Sequence, residues 1–118
     1  MPIGTNTLKV YMTNEVKAEL NTLVEVIKNS LSIDEIYLFG SFAYGNPKSD
    51  SDFDIYVVIP DDSIRPIEAT QKIRLNILPY QKRPVDLLVG KRSSFMKRKT
   101  STSFIENEVS SKGMKIYG

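Results

Sequence analysis

Gly40-Ser41-Phe42-Ala43-Tyr44-Gly45-Asn46-Pro47-Lys48-Ser49-Asp50-Ser51-Asp52-Phe53-Asp54 is the stretch on which the reading of this chain turns. Ile36, Leu38 and Phe39 run into it as a short apolar segment ending at Gly40, which reads as a buried strand. Phe53, Ile55, Tyr56, Val57, Val58 and Ile59 leave it as a second strand, stopped by Pro60-Asp61-Asp62-Ser63. Between them, residues 40–52 are rich in Gly, Ser, Asn, Pro and Asp, the composition of a loop with room for one helical turn.

This loop holds groups that suit phosphate and metal chemistry. Gly40 lets backbone approach a ligand closely, and a helical turn starting at Ser41 would aim free amide groups outward at a phosphate. The Ser41 hydroxyl adds a donor, and Gly45 is a second flexible point. Asp52 and Asp54 are two apart at the mouth of a strand, so their carboxylates share one face and repel unless a cation lies between them. Phe53 then points the other way, into the core. Asp86 lies inside the apolar run Val85-Asp86-Leu87-Leu88-Val89, where a cation shared with Asp52 and Asp54 would offset the cost of burial, provided the two strands are neighbours.

Outward from this centre, Val16, Leu20, Leu23, Val24, Ile27 and Leu31 predict a helix over about 13–31, with Thr13 or Asn14 as its cap. Leu8, Val10 and Met12 allow a short extended piece before it. Pro66 opens a second helix running to about Leu78, with Ile67, Thr70, Ile73 and Ile77 on one face. Pro84 precedes a third strand, Val85 to Val89, closed by Gly90. Ser103-Phe104-Ile105-Glu106 has a capping-box pattern opening a helix to about Lys112. Gly113 stops it, and Met114, Ile116 and Tyr117 suit a last strand. The alternation predicts an α/β (α+β) layer fold, a mixed sheet of about four or five strands with helices packed on it. One domain over 1–118, with its core from about 13, is expected.

Composition narrows the chemistry. The chain has no cysteine and no histidine, which excludes thiolate sites and the commonest general base. Catalysis must run on carboxylates, hydroxyls, backbone amides or Lys and Arg, and a bound metal should be hard and oxygen-held. A net charge of +2 gives no indication of direct nucleic-acid binding. The N-terminus lacks a signal-peptide pattern, and no apolar stretch approaches the roughly 20 residues of a membrane span, so a soluble cytoplasmic protein is expected.

Gly40-Ser41, ten residues, then Asp52-Phe53-Asp54 with strands on both sides and a third aspartate at Asp86 resembles the signature of the polymerase beta-like nucleotidyltransferase superfamily. The fuller pattern is similar to its minimal branch, the small MNT proteins. The resemblance implies the palm-like fold of that superfamily. It implies that Asp52 and Asp54 ligate two Mg²⁺ ions (or Mn²⁺) and that Asp86 completes the site of the ion activating the acceptor hydroxyl and takes its proton. Gly40, Ser41 and Gly45 would hold the triphosphate of ATP or another NTP. The implied reaction is transfer of a nucleoside monophosphate to an acceptor hydroxyl, with loss of pyrophosphate.

The resemblance further implies a helical HEPN-domain protein as partner, with this chain as antitoxin adenylylating it. A small-molecule acceptor such as an aminoglycoside competes with that reading. Enzymes of that kind usually add a helical domain, and this chain ends soon after its core. A non-catalytic binding module is the other alternative, and the presence of all three carboxylates weighs against it. One departure stands out: Phe42 and Tyr44 occupy positions where many relatives carry basic residues. Lys48, or the cluster Lys91, Arg92, Lys97, Arg98 and Lys99, is a candidate replacement. Asp50, Asp61 and Asp62 read as solvated loop and turn carboxylates.

Overall fold

The computed structural model describes residues 12–45 and 51–118. The expected extended piece before Met12, and Lys48 and Asp50, lie outside the described residues. The elements in chain order are α1 (Asn14–Ser30), β1 (Glu35–Phe39), α2 (Ser41–Tyr44), β2 (Phe53–Ile59) and α3 (Pro66–Ile77). A 3₁₀ turn follows (Leu78–Tyr80), then β3 (Val85–Lys91), α4 (Arg92–Arg98), α5 (Ile105–Lys112) and β4 (Met114–Tyr117). The four strands form one mixed sheet in the order β3-β2-β1-β4. β1 is antiparallel to β2 and β4, whereas β2 and β3 are parallel, as the long crossover through α3 permits.

β2 is buried on both faces, which is why its sequence is almost continuously apolar. Phe53, Ile55, Val57 and Ile59 join Ile36 and Leu38 against α1 and α3 in the main core. Tyr56 and Val58 join Tyr37, Phe39, Phe95 and Val109 in a second cluster on the other face. Helix α1 starts where expected: Thr13 caps it, its hydroxyl accepting from the Val16 amide at 3.2 Å. It buries Leu20, Leu23, Val24 and Ile27.

Three expectations need correction. Helix α3 buries Ala69, Ile73 and Ile77, four residues apart, which puts Ile67 well off that stripe and 58% exposed. Gly90 does not close β3 but lies inside it, beside Val58. A Cβ at Gly90 would come 2.2 Å from the Tyr56 hydroxyl oxygen, so the bare glycine makes room for that phenol. Finally, Ser103 does not cap α5. That helix begins at Ile105, because Glu106 turns inward and accepts a hydrogen bond from the Tyr56 hydroxyl at 2.7 Å. Gly113 does end α5, its amide donating to the Val109 carbonyl at 3.0 Å. No helix among the described residues is long and apolar enough to cross a membrane.

Candidate metal and phosphate site

The parallel pairing of β2 and β3 sets the site. Phe53 lies beside Val85 and Asp54 beside Asp86, neighbours at roughly the 4.8 Å strand spacing. Alternation along β3 turns Val85 and Leu87 inward, so Asp86 and Leu88 face outward on the side that carries Asp54 and Tyr56. β3 is an edge strand and Asp86 is exposed, so avoiding burial does not explain it. What marks Asp86 is its registration on Asp54.

The two carboxyls are close enough for a hydrogen bond between them. Burial, that bond, and the negative charges of Asp86 and Asp52 push Asp54 up to about 6. A carboxyl forced to hold a proton against two like neighbours is one that a cation would relieve. Asp52 stands one residue ahead of β2 and is exposed. It is near enough for its charge to act on Asp54, but among the described residues no three acidic side chains are gathered into a closed cage. The sheet therefore brings Asp54 and Asp86 together and leaves Asp52 at the rim. All donors are carboxylate oxygens, a set that fits Mg²⁺ or Mn²⁺ and not a soft metal.

Gly40 closes the other side. Its φ of +74° lies in the left-handed region, and a Cβ there would meet an Asp54 carboxylate oxygen at 1.9 Å. The backbone at Gly40 thus passes directly against the carboxyl. Gly40 also begins α2, its carbonyl accepting from the Ala43 and Tyr44 amides at 3.0 Å each. Gly45, at φ +98°, ends the turn with its amide on the Ser41 carbonyl. Phe42 is buried and packs on Phe53 with ring centroids 5.1 Å apart, which fastens the turn to the strand bearing the aspartates.

Position 42 therefore serves the core, and any charge presented to a phosphate must come from elsewhere. Tyr44 is partly exposed and donates to Glu108 at 2.6 Å. Burial and that hydrogen bond raise its phenol to about 12, so it stays protonated.

Two members of the basic cluster are engaged away from the aspartates. The Lys91 ammonium donates to the Asp61 and Ser63 carbonyls, and Arg92 pairs with Asp34 at 2.8 Å. Lys91 stands five residues beyond Asp86, about 17 Å along the strand. Arg98 lies over the Phe104 ring and Lys99 over Phe95. Asp61 is a turn residue, as expected, its carboxylate accepting from the Ser93 amide. A groove of about 540 Å³ between α1 and the 3₁₀ turn, lined by Glu15, Thr22, Tyr80 and Lys82 among others, lies apart from the three aspartates.

Arg83 joins the site although no sequence motif marks it. Its guanidinium grips Glu19 with two hydrogen bonds and donates a third to the Ser51 carbonyl, one residue before Asp52. Its place immediately ahead of β3 was the available signal, since parallel pairing sets residue 83 alongside residue 51.

Comparison with known proteins agrees with this geometry. A family model described as a nucleotidyltransferase domain matches residues 20–112. No curated protein matches the chain. Among solved structures, a toxin-antitoxin with AMP-PNP superposes with a TM-score of 0.61 at 22% identity, over 83% of this chain and 72% of that one. A doubly mutated form of the toxin-antitoxin MntA-HpeT gives 0.59 at 21% identity, with the same shares covered. A nucleotidyltransferase structure from Sulfolobus solfataricus gives 0.52 at 20% identity, over 93% of this chain and 78% of that one. At these identities the likeness is one of fold.

Proposed function

We propose a function from one premise: this chain belongs to the nucleotidyltransferase domain family. The reading is transfer of AMP from ATP to a hydroxyl on a partner protein, with release of pyrophosphate. The observation that carries it is the registration of Asp54 on Asp86 with the Gly40 backbone against the Asp54 carboxyl. That places paired carboxylates and a glycine-led turn on one spot, the two halves that a metal-triphosphate complex needs.

Asp54 and Asp86, with Asp52 at the rim, are the residues that would hold two divalent ions. Such ions, when bound, supply activation of the attacking hydroxyl and charge neutralisation of the triphosphate. Asp52 and Asp54 bind on the nucleotide side. Asp86, on the outer strand and exposed, meets the acceptor and takes the proton of its hydroxyl. Gly40, Ser41 and Gly45 fix the turn along which the phosphates lie, with the Ser41 hydroxyl and the Ser41 and Phe42 amides at its start as donors. The single-bond exchange is balanced: the acceptor oxygen joins the α-phosphorus as the bond to pyrophosphate breaks, and the hydroxyl proton passes to Asp86.

A protein acceptor is favoured because Asp86 and Leu88 lie open on an edge strand. Two of the structural neighbours are themselves toxin-antitoxin pairs, one of them with AMP-PNP. We take the partner to be a helical HEPN-domain protein. The test is incubation with ATP labelled on the α-phosphate, magnesium and a co-purified partner. Label should appear on the partner and vanish with Asp54→Ala. Label transferred equally well by Asp54→Ala would refute the assignment.

A further inference from the structure

We propose that Arg83 is a positioning residue for the Asp52 side of the site, acting through the backbone on both sides of that aspartate. The inference rests on the metal reading given above. Asp52 is the one carboxylate of the three that lies outside a strand, so its direction depends on what holds residues 51 and 53. Both are held by the same short segment. Arg83 donates from Nη1 to the Ser51 carbonyl at 3.0 Å, and the Phe53 amide donates to the Pro84 carbonyl at 3.1 Å. Residues 83 and 84 thus bracket Asp52 from one side to the other.

The guanidinium is itself fixed. Nε and Nη2 donate to the two Glu19 carboxylate oxygens at 2.7 and 2.9 Å, a fork that only arginine makes. Its Cζ lies 4.8 Å from the Phe53 ring centroid and 5.6 Å from that of Phe42. Helix α1, the Gly40–Tyr44 turn and the start of β2 therefore all meet on one side chain. The Arg83 and Glu19 side chains are 11% and 7% exposed. Replacing a buried ion pair by apolar groups is often neutral or stabilising, so stability alone is a poor reason for one here. Orientation of a ligand-bearing loop is a reason that fits its three-way hydrogen bonding.

The test is Mn²⁺ affinity of the full chain, read from the free-ion paramagnetic resonance signal, with circular dichroism as the fold control. Arg83→Lys keeps the charge but not the fork, so it cannot hold Glu19 and Ser51 together. It should weaken Mn²⁺ binding about tenfold with an unchanged fold spectrum. Glu19→Gln leaves Arg83 able to reach Ser51 and should lose less than Arg83→Lys. Should Arg83→Lys fail to fold, a folded Glu19→Gln with some loss of affinity supports the role. Parent-like affinity in the folded variants, beside a clear loss in Asp52→Ala, would overturn it. Unchanged affinity in Asp52→Ala would instead sink the metal reading on which it rests.

Discussion

At the C-terminal end of β2 and β3, Lys91 donates to the Asp61 and Ser63 carbonyls, Asp61 accepts from Ser93, and Arg92 pairs with Asp34. At the N-terminal end, about 17 Å away along the same strands, Asp54 faces Asp86 with Asp52 close by. Among the described residues, none of these three aspartates forms an ion pair with a Lys or Arg. One end satisfies its charges internally and is structural. The other concentrates like charge and strains it, the condition expected where an external cation and a polyanion are to bind. The difference shows that Lys91 and Arg92, which open the louder basic signal in the sequence, belong to the quieter end.

Substitutions at the two ends should therefore separate activity from stability. With Asp54 kept in place, the largest effect is expected from Asp86→Asn, which should lower turnover by about 10²–10⁴-fold while leaving nucleotide binding nearly intact. Steady-state kinetics at varied ATP reads both; a loss confined to ATP binding would put Asp86 on the wrong side of the reaction. Gly40→Ala should come next. Its Cβ would meet the Asp54 carboxylate at a positive φ, so Mn²⁺ binding should fall along with about 1–3 kcal/mol of stability. Retained binding in a folded Gly40→Ala would show that the close approach is incidental.

Between the two ends sits Tyr56. Tyr56→Phe strands the buried Glu106 carboxylate and should cost about 1–3 kcal/mol in denaturant unfolding, with transfer unchanged where the protein is folded. The smallest effect belongs to Arg92→Ala. Its pair with Asp34 is half exposed, so the loss should stay below about 1 kcal/mol and transfer should not move. A clear drop in transfer there would break the division between the ends.

The sheet and its helices were legible because β2 is apolar on both faces and α1 repeats its leucines at helical spacing. Errors came where a side chain is committed over long range. Glu106 reads as a capping residue locally, but its partner is Tyr56, fifty residues away. Gly90 reads as a strand end because nothing local shows the Tyr56 phenol beside it. Ile67 fits a helical stripe by periodicity, yet the stripe that packs is centred on Ile73. At the site, the aspartates could be named from the sequence but not their arrangement. Registration of Asp54 on Asp86 is a property of parallel pairing, and Arg83 gains its meaning only from Glu19, sixty-four residues earlier.

On the proposed function, Asp54 is held beside like charge so that a divalent cation can bind. Its folded carboxyl titrates near 6 against an ordinary 3.8, so the folded chain binds that proton more tightly than the unfolded chain. Without metal, its contribution to stability is therefore greatest below the unfolded value and is lost as pH rises through about 6. Thermal melting of the parent and of Asp54→Asn above that pH, with and without Mn²⁺, tests this directly. Asp54→Asn should melt higher than the parent without metal and gain nothing from Mn²⁺, whereas the parent should gain clearly. Equal stabilisation of both proteins by Mn²⁺ would contradict it.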